Sequence, residues 1–229
     1  MASVADEKRA DRLVATYLAE QEKIELFLGQ LFRAINDSTE LSPYIHSTRS
    51  RLKDPVHLKA KLVRKIQEAR RRGESFDITR ENLLEKVNDL AGIRILHLHT
   101  RQVRRIDRVF REILVEQSYS LREGPFARTW DDESRAFFQE CGIQTQQSPT
   151  LYTSIHYVVG SASRTLITCE VQVRTLMEEV WGEVDHLLNY PTPSSSLACR
   201  EQLKVLARVT SSATRLVDSI FLTAADATS

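Results

Sequence analysis

"TLYTSIHYVVG" (residues 150–160) and "LITCEVQVRT" (166–175) are two short β patterns, each apolar on one side and chemically loaded on the other. Alternate side chains of a strand share a face. Tyr152, Ser154 and His156 therefore point together from the first, and Glu170, Gln172 and Arg174 from the second. Val171 and Val173 point the opposite way. Two such strands in succession describe either the polar outer face of a half-exposed antiparallel sheet or a site built on a sheet. Spacing alone leaves both open.

Working outward, "DLAGIRILHLH" (89–99) is the most apolar strand candidate. The amphipathic stretch after it turns Val103, Ile106, Phe110, Ile113 and Leu114 inward as a helix. Further upstream, Asp54 followed by Pro55 reads as an N-cap with proline at the first helical position. That helix is predicted to run to about Arg72, where Gly73 stops it. An extended piece ending near Lys53 precedes it. Leu13, Tyr17, Ile24, Phe27, Leu28, Leu31 and Ile35 recur at helical spacings and predict one long helix over residues 6–35. Residues 118–148 are polar, with Phe126, Trp130, Phe137 and Phe138 as anchors, and are expected to form a long active-site loop with a little helix inside. A helix should start near Thr175 and break at "NYPTP", by Pro191 and Pro193; a last amphipathic helix spans 197–222. The expected architecture is a single α+β domain over residues 1–229, a mixed β-sheet flanked by helices, with its catalytic core at 44–190.

Bulk composition narrows the classes. With 41% hydrophobic and 28% charged residues among 229, and only 7 Gly and 6 Pro, the chain is globular and able to bury a core. Lys+Arg 32 against Asp+Glu 31 excludes a global electrostatic argument for nucleic acid or membrane. Between Arg49 and Arg72, however, ten basic residues face two acids. That run is either an anion site or a solvated basic helix, and it lacks the interleaved aromatics of a nucleic-acid platform. Cys141, Cys169 and Cys199 form no CxxC pair, which argues against a disulfide framework or structural zinc and fits a reducing cytoplasm. The N-terminus is charged from residue 6 and has no apolar core, so no signal peptide is expected, and no apolar run reaches membrane-span length. His97 and His99 mimic metal-ligand spacing without a third ligand and read as structural.

Set in order, four stretches resemble the synthetase domain of the RelA/SpoT family, whose members move pyrophosphate from ATP to a nucleotide 3′-hydroxyl. Arg51-Leu52-Lys53 followed by Lys61 is similar to the family's R-x-K-x-x-x-S-x-x-x-K, with His57 at the serine position. Asp89-Leu90-Ala91-Gly92-Ile93-Arg94 resembles D-x-x-G-I-R, Tyr152 to His156 resembles Y-x-S-x-H, and Glu170 to Thr175 resembles E-x-Q-x-R-T. "EEVWGEVDHLLNY" (178–190) follows where the family has a Trp/Glu/His helix, of which Trp181 and His186 are expected to pack and support. The resemblance spans about residues 10–222 and implies a nucleotidyltransferase-like fold.

What the resemblance implies for the site is specific. Asp89 and Glu170 are the carboxylates on the Mg²⁺ side, with Glu170 also able to accept the proton of the attacking hydroxyl. Arg51 and Arg94 would sandwich the ATP adenine, and Lys53, His57 and Lys61 would lie along its phosphates. Tyr152 would stack on the acceptor base and His156 would approach the acceptor phosphates, with Ser154, Gln172 and Arg174 on the same cleft. This answers the loaded face. The implied activity is a pyrophosphokinase making (p)ppGpp from ATP and GDP or GTP and releasing AMP. No His-Asp dipeptide occurs, so a stand-alone synthetase without the hydrolase domain is expected, with no membrane partner. Homo-oligomers and an antitoxin or regulator are partners compatible with the family.

One departure bears on the acceptor. Many guanine-using members read P-K-x-N-G-Y before the tyrosine, where this chain has Ser148 at the lysine position and Thr150 at the asparagine position. An adenine nucleotide or the 3′ end of tRNA, as in toxic relatives, thus stands beside GDP and GTP. A catalytically silent nucleotide sensor is the reading from another class; retention of both Asp89 and Glu170 speaks against it.

Overall fold

The computed structural model describes residues 3–148, 150–189 and 194–226. Two helices open the chain, α1 (Val4–Ala19) and α2 (Gln21–Asp37), where the spacing predicts one. Glu20 breaks the run at φ −101°, ψ 4°. No proline or glycine marks that break; the two halves bury their apolar stripes against different partners. The α1 stripe packs on the basic helix α3 (Pro55–Arg72), and Tyr17 on it donates to the Lys53 carbonyl at 2.7 Å. The α2 stripe packs on the sheet. Helix α3 itself follows expectation: the Asp54 side chain accepts the His57 N–H, and Gly73 closes the helix at φ +70°.

A mixed sheet of six strands occupies the centre, in the order β1-β2-β6-β5-β3-β4. Strand β1 is Ser47–Leu52, β2 Ala91–His97, β3 Ser120–Thr129, β4 Gln144–Gln147, β5 Ser154–Gly160 and β6 Thr168–Thr175. Strands β2 and β6 run parallel, as do β3 and β4; the other neighbours are antiparallel. A short helix α4 (Leu83–Lys86) precedes β2, and α5 (Val103–Glu116) follows it. One face of the sheet carries Ile93, Ile95, Ile155, Tyr157, Val171 and Val173, all buried with α2 and α5 in the main core. The opposite face carries Arg49, Arg94, Gln172 and His156.

The segment 118–148 is not a loop. It forms β3, helix α6 (Asp132–Glu140) and β4. The expected pattern was masked by Gly124-Pro125, where β3 bulges and its register against β5 shifts twice. Beyond β6, helix α7 (Leu176–Asn189) lies over the loaded face, and α8 (Leu197–Asp226) packs on α7 and runs four residues past the expected end. Trp181 pins the two, its indole donating to the Leu203 carbonyl at 3.0 Å. The proline pair expected to break the helix lies outside the described residues. His97 is buried, which pushes its imidazole down to about 4, and His99 stacks on Phe221 at 4.4 Å. Among the described residues no helix is long and apolar enough to cross a membrane.

The bulge gives a direct test of how β3 meets β5. Gly124 has φ +85°, and a Cβ there would stand 2.3 Å from the His156 carbonyl oxygen. Gly124→Ala should therefore cost about 2–4 kcal/mol, combining backbone strain with the clash. Urea unfolding measures it; a loss below about 0.5 kcal/mol would show that the bulge relaxes freely.

Candidate active site

The sheet register assembles the loaded face from distant segments. Gly92 pairs with Arg51 on one side and Glu170 on the other, and Glu170 with Val158. In the next row Arg49, Arg94, Gln172 and His156 stand side by side. These residues share one face because each is two positions from its neighbour in the adjoining row. Arg51 lies across Gly92, its Cγ and Nε within ordinary contact of where a Cβ would stand.

At the β1–β2 end, Asp89 sits just before β2 and receives two lysines. Lys53 Nζ lies 3.0 Å from Oδ2, and Lys61 binds Oδ1 from the second turn of α3. Burial pushes the Asp89 carboxyl up, but Lys61 and Lys53 outweigh it and hold it down at about 2. The expected metal-side carboxylate and the expected phosphate lysines are thus one ion-paired cluster. His57 stands in the first turn of the same helix, its N–H donated to the Asp54 cap and its ring nitrogen 3.8 Å from the same carboxylate. The imidazole of His186 on α7 is lowered by burial and by the nearby charges of Arg51 and Arg94, against the pull of Glu183.

Glu170 is bound on both oxygens. His156 Nδ1 donates to Oε1 and Gln172 Nε2 to Oε2, each at 3.0 Å. Burial pushes this carboxyl up and the charge of Asp89 adds to that; the bonds from His156 and Gln172 win and leave it below its usual range. Two ionised carboxylates that feel one another are the donor set of a hard cation. Magnesium is commonly held by one or two carboxylates plus substrate phosphates, so the residues fit it. Among the described residues no cluster of three or more His, Cys, Asp or Glu could hold a metal alone.

Tyr152 reaches this group differently from expectation. Strand β5 starts only at Ser154, so Tyr152 belongs to the turn before it and not to the alternation. Its hydroxyl donates to Gln172 Oε1 at 3.4 Å and accepts from Arg174 Nη1 at 3.3 Å, with the Arg174 guanidinium 5.6 Å over the ring. Ser154 is buried and donates to the Val173 carbonyl at 3.4 Å. At the family's lysine position, Ser148 is also buried, and its hydroxyl accepts the Tyr152 N–H at 3.1 Å. It serves the turn and brings no cation. Pro149, in the same motif, lies outside the described residues.

Sequence reasoning missed the acids of α7. Glu179 Oε1 lies 3.1 Å from Arg94 and 3.8 Å from Arg49, and its Oε2 binds Arg174. Glu183, one turn on, also binds Arg94. Their i, i+4 spacing on one helix face was the available signal. Three nitrogens around the cleft, Arg94 Nε, Arg174 Nε and His156 Nε2, are buried with no hydrogen-bond partner among the described residues. Buried polar groups are normally satisfied, so a partner from outside the chain would fit these nitrogens.

The lysine cluster makes a pH prediction. A carboxyl depressed from 3.8 to about 2 stabilises the fold above its unfolded value and loses that contribution as pH falls through the folded one. Asp89 should contribute on the order of 2 kcal/mol at neutral pH, lost between about pH 4 and pH 2. Lys61→Met should raise the Asp89 titration seen by carboxyl ¹³C NMR and shrink the acid-labile stability. An unmoved Asp89 titration would show that Lys61 does not set it.

No curated protein sequence matches the chain significantly. Among solved structures, small alarmone synthetase 1 from Bacillus subtilis shares the fold at a TM-score of 0.57 and 17% identity, over 94% of this chain and 97% of that one. The same synthetase bound to its product pppGpp gives 0.56 and 19%, over 92% and 95%. A GTP pyrophosphokinase family protein from Streptococcus pneumoniae gives 0.60 and 18%, over 95% of each. At these identities the likeness is one of fold. Residues 50–195, which hold the whole cluster from Arg51 to Glu183, match the region found in RelA / SpoT proteins, and the chain therefore belongs to the RelA/SpoT family.

Proposed function

We propose that the protein is an ATP-dependent pyrophosphokinase that transfers the β,γ-pyrophosphate of ATP to the 3′-hydroxyl of GDP or GTP, releasing AMP. The observation that supports this reading is the pair Asp89 and Glu170, both held below the usual carboxylate range, Asp89 by Lys61 and Lys53 and Glu170 by His156 and Gln172. A protein that only bound nucleotide would have no use for two such carboxylates beside its phosphate lysines. Asp89 and Glu170 would hold magnesium, which when bound neutralises phosphate oxygens.

The chain's own residues then divide the work. Arg51 and Arg94 flank the donor base; Lys53, His57 and Lys61 take its phosphates. Because both lysines already hold Asp89, an arriving phosphate competes with that carboxylate and frees it. Tyr152 supplies the acceptor's stacking face, backed by Arg174 and Gln172. His156, bonded through Nδ1 to Glu170, keeps its buried Nε2 open toward the acceptor. Glu170 accepts the hydroxyl proton as the 3′-oxygen bonds to the β-phosphorus and the bond to AMP breaks.

One observation favours a broader acceptor range. Ser148 is turned inward and spent on Tyr152, so the acceptor side lacks the lysine of guanine-using members. An adenine nucleotide or the tRNA 3′ end is the second reading.

Incubation with labelled ATP plus GDP, GTP, ADP or tRNA, one at a time, separates these. Pyrophosphorylated guanine nucleotide together with AMP is the expected product; labelled tRNA with unreacted nucleotides would overturn it. Glu170→Gln should fold and lose about 10²–10⁴-fold in rate, and retention of more than about a tenth would remove Glu170 from the chemistry. Tyr152→Ala should weaken acceptor use by roughly 1–3 kcal/mol, with Tyr152→Phe close to wild type, because the ring face does the stacking.

A further inference from the structure

The turn that presents Tyr152 lies outside the sheet, so its backbone donors have no strand to pair with. Side chains take them instead. Ser148 Oγ accepts the Tyr152 N–H at 3.1 Å, and Glu178 Oε2 accepts the Thr153 N–H at 3.2 Å. Thr153 Oγ1 also bonds Thr129 Oγ1 at 3.1 Å. Within the turn, Leu151 has φ +57°, a left-handed conformation that a leucine keeps only where its surroundings hold it. Of these three holds, Glu178 alone is ionisable and alone comes from a helix.

We propose that Glu178 is a positioning residue for the acceptor: from the first turn of α7 its carboxylate fixes the Leu151–Thr153 turn and, through it, the Tyr152 ring. The proposal rests on the acceptor role assigned to Tyr152 above. The next residue, Glu179, binds Arg174, whose guanidinium lies over the same ring. Consecutive side chains of α7 thus hold the Thr153 amide next to Tyr152 and, through Arg174, the face of its ring. Neither contact could form if α7 were displaced from the sheet.

Glu178 is 5% exposed and forms part of the wall of a 290 Å³ cavity behind the turn. Facing it are Arg174 from β6 and Asp131 from the β3–α6 junction. The same cavity is bounded by His97, Arg101, Glu133, Arg215 and Asp218. Burial, against the pull of the Thr153 amide and Arg174, pushes the carboxyl up to about 7. Above that pH the group is ionised and its bond to Thr153 is charge-assisted, roughly twice as strong as a neutral one. Acceptor binding should therefore tighten as pH rises through neutrality. Stability should move the other way: the folded state binds an extra proton between 4.5 and about 7, so stability falls as pH rises across that window.

The test uses the full chain with GDP as acceptor. Glu178→Leu removes the acceptor oxygen and should raise the KM for GDP about tenfold, with kcat and the KM for ATP within about twofold, as expected for one charge-assisted hydrogen bond. Glu178→Gln keeps an acceptor oxygen without a charge. It should restore most of that KM at pH 7 and flatten its dependence between about pH 6 and pH 8. An unchanged KM in Glu178→Leu, or a wild-type pH profile in Glu178→Gln, would overturn the proposal. A readout free of catalysis decides the matter if Glu178→Leu fails to fold. The Thr153 amide in ¹H–¹⁵N NMR should move with a midpoint near pH 7 in the wild type and stay still in Glu178→Gln. Should the wild type turn over no nucleotide while Thr153 titrates in this way, the assigned reaction fails and the anchor stands. An unresponsive Thr153 overturns the anchor whatever the activity.

Discussion

One buried carboxylate, that of Glu179, organises the loaded face. Arg49, Arg94 and Arg174 come from β1, β2 and β6, three adjacent strands, and three guanidiniums on neighbouring strands repel one another. Glu179 stands among them at 8% side-chain exposure, Oε1 toward Arg94 and Arg49 and Oε2 toward Arg174. Removing one partner of such a buried cluster typically costs 3–5 kcal/mol, because the remaining charge has lost its compensation. The sheet can therefore carry this much positive charge in its middle only with α7 laid across it. Gly182 completes the fit. A Cβ there would stand 2.6 Å from Arg174 Nη1, and Arg174, itself 3% exposed, has nowhere to retreat.

The Asp89 cluster solves the same problem differently. Lys53 and Lys61 approach from the end of β1 and from α3, and a single aspartate neutralises both. In both places, then, cations of the protein are held by its own carboxylates. Pre-paired side chains keep their geometry without ligand, which lowers the ordering cost of binding. The cost is that any anion reaching these cations must compete with an ion pair already formed.

How much of this was legible follows from which forces leave a local trace. Strands β2, β5 and β6 were readable because their apolar faces alternate, and α3 because Asp54-Pro55 and Gly73 punctuate it. The break at Glu20 left no trace: both halves keep helical spacing, and only the different partners of Tyr17 and Ile24 separate them. Strand β3 was hidden by Gly124-Pro125, a pair that punctuates turns in isolation and here makes a bulge. The site motifs named Asp89, Glu170, Tyr152 and the arginines, yet gave no sign of what binds them. Glu178 and Glu179 lay inside an expected helix with no partner assigned to either. Their burial depends on Arg174 and on the Tyr152 turn, partners that only the assembled tertiary structure brings to them.

The strand order carries a consequence for how the protein comes into being. Strand β6 is the last strand in the chain, yet it lies between β2 and β5 in the middle of the sheet. During synthesis β2 emerges long before its parallel partner, and the gap between β2 and β5 stays unfilled until β6 has left the ribosome. Closing that long connection is the slow, entropically costly kind of step. Asp89 and Glu170 lie on opposite sides of it. A growing chain thus displays its basic helix and its paired lysines early, but the two carboxylates meet only when the central strand slots in.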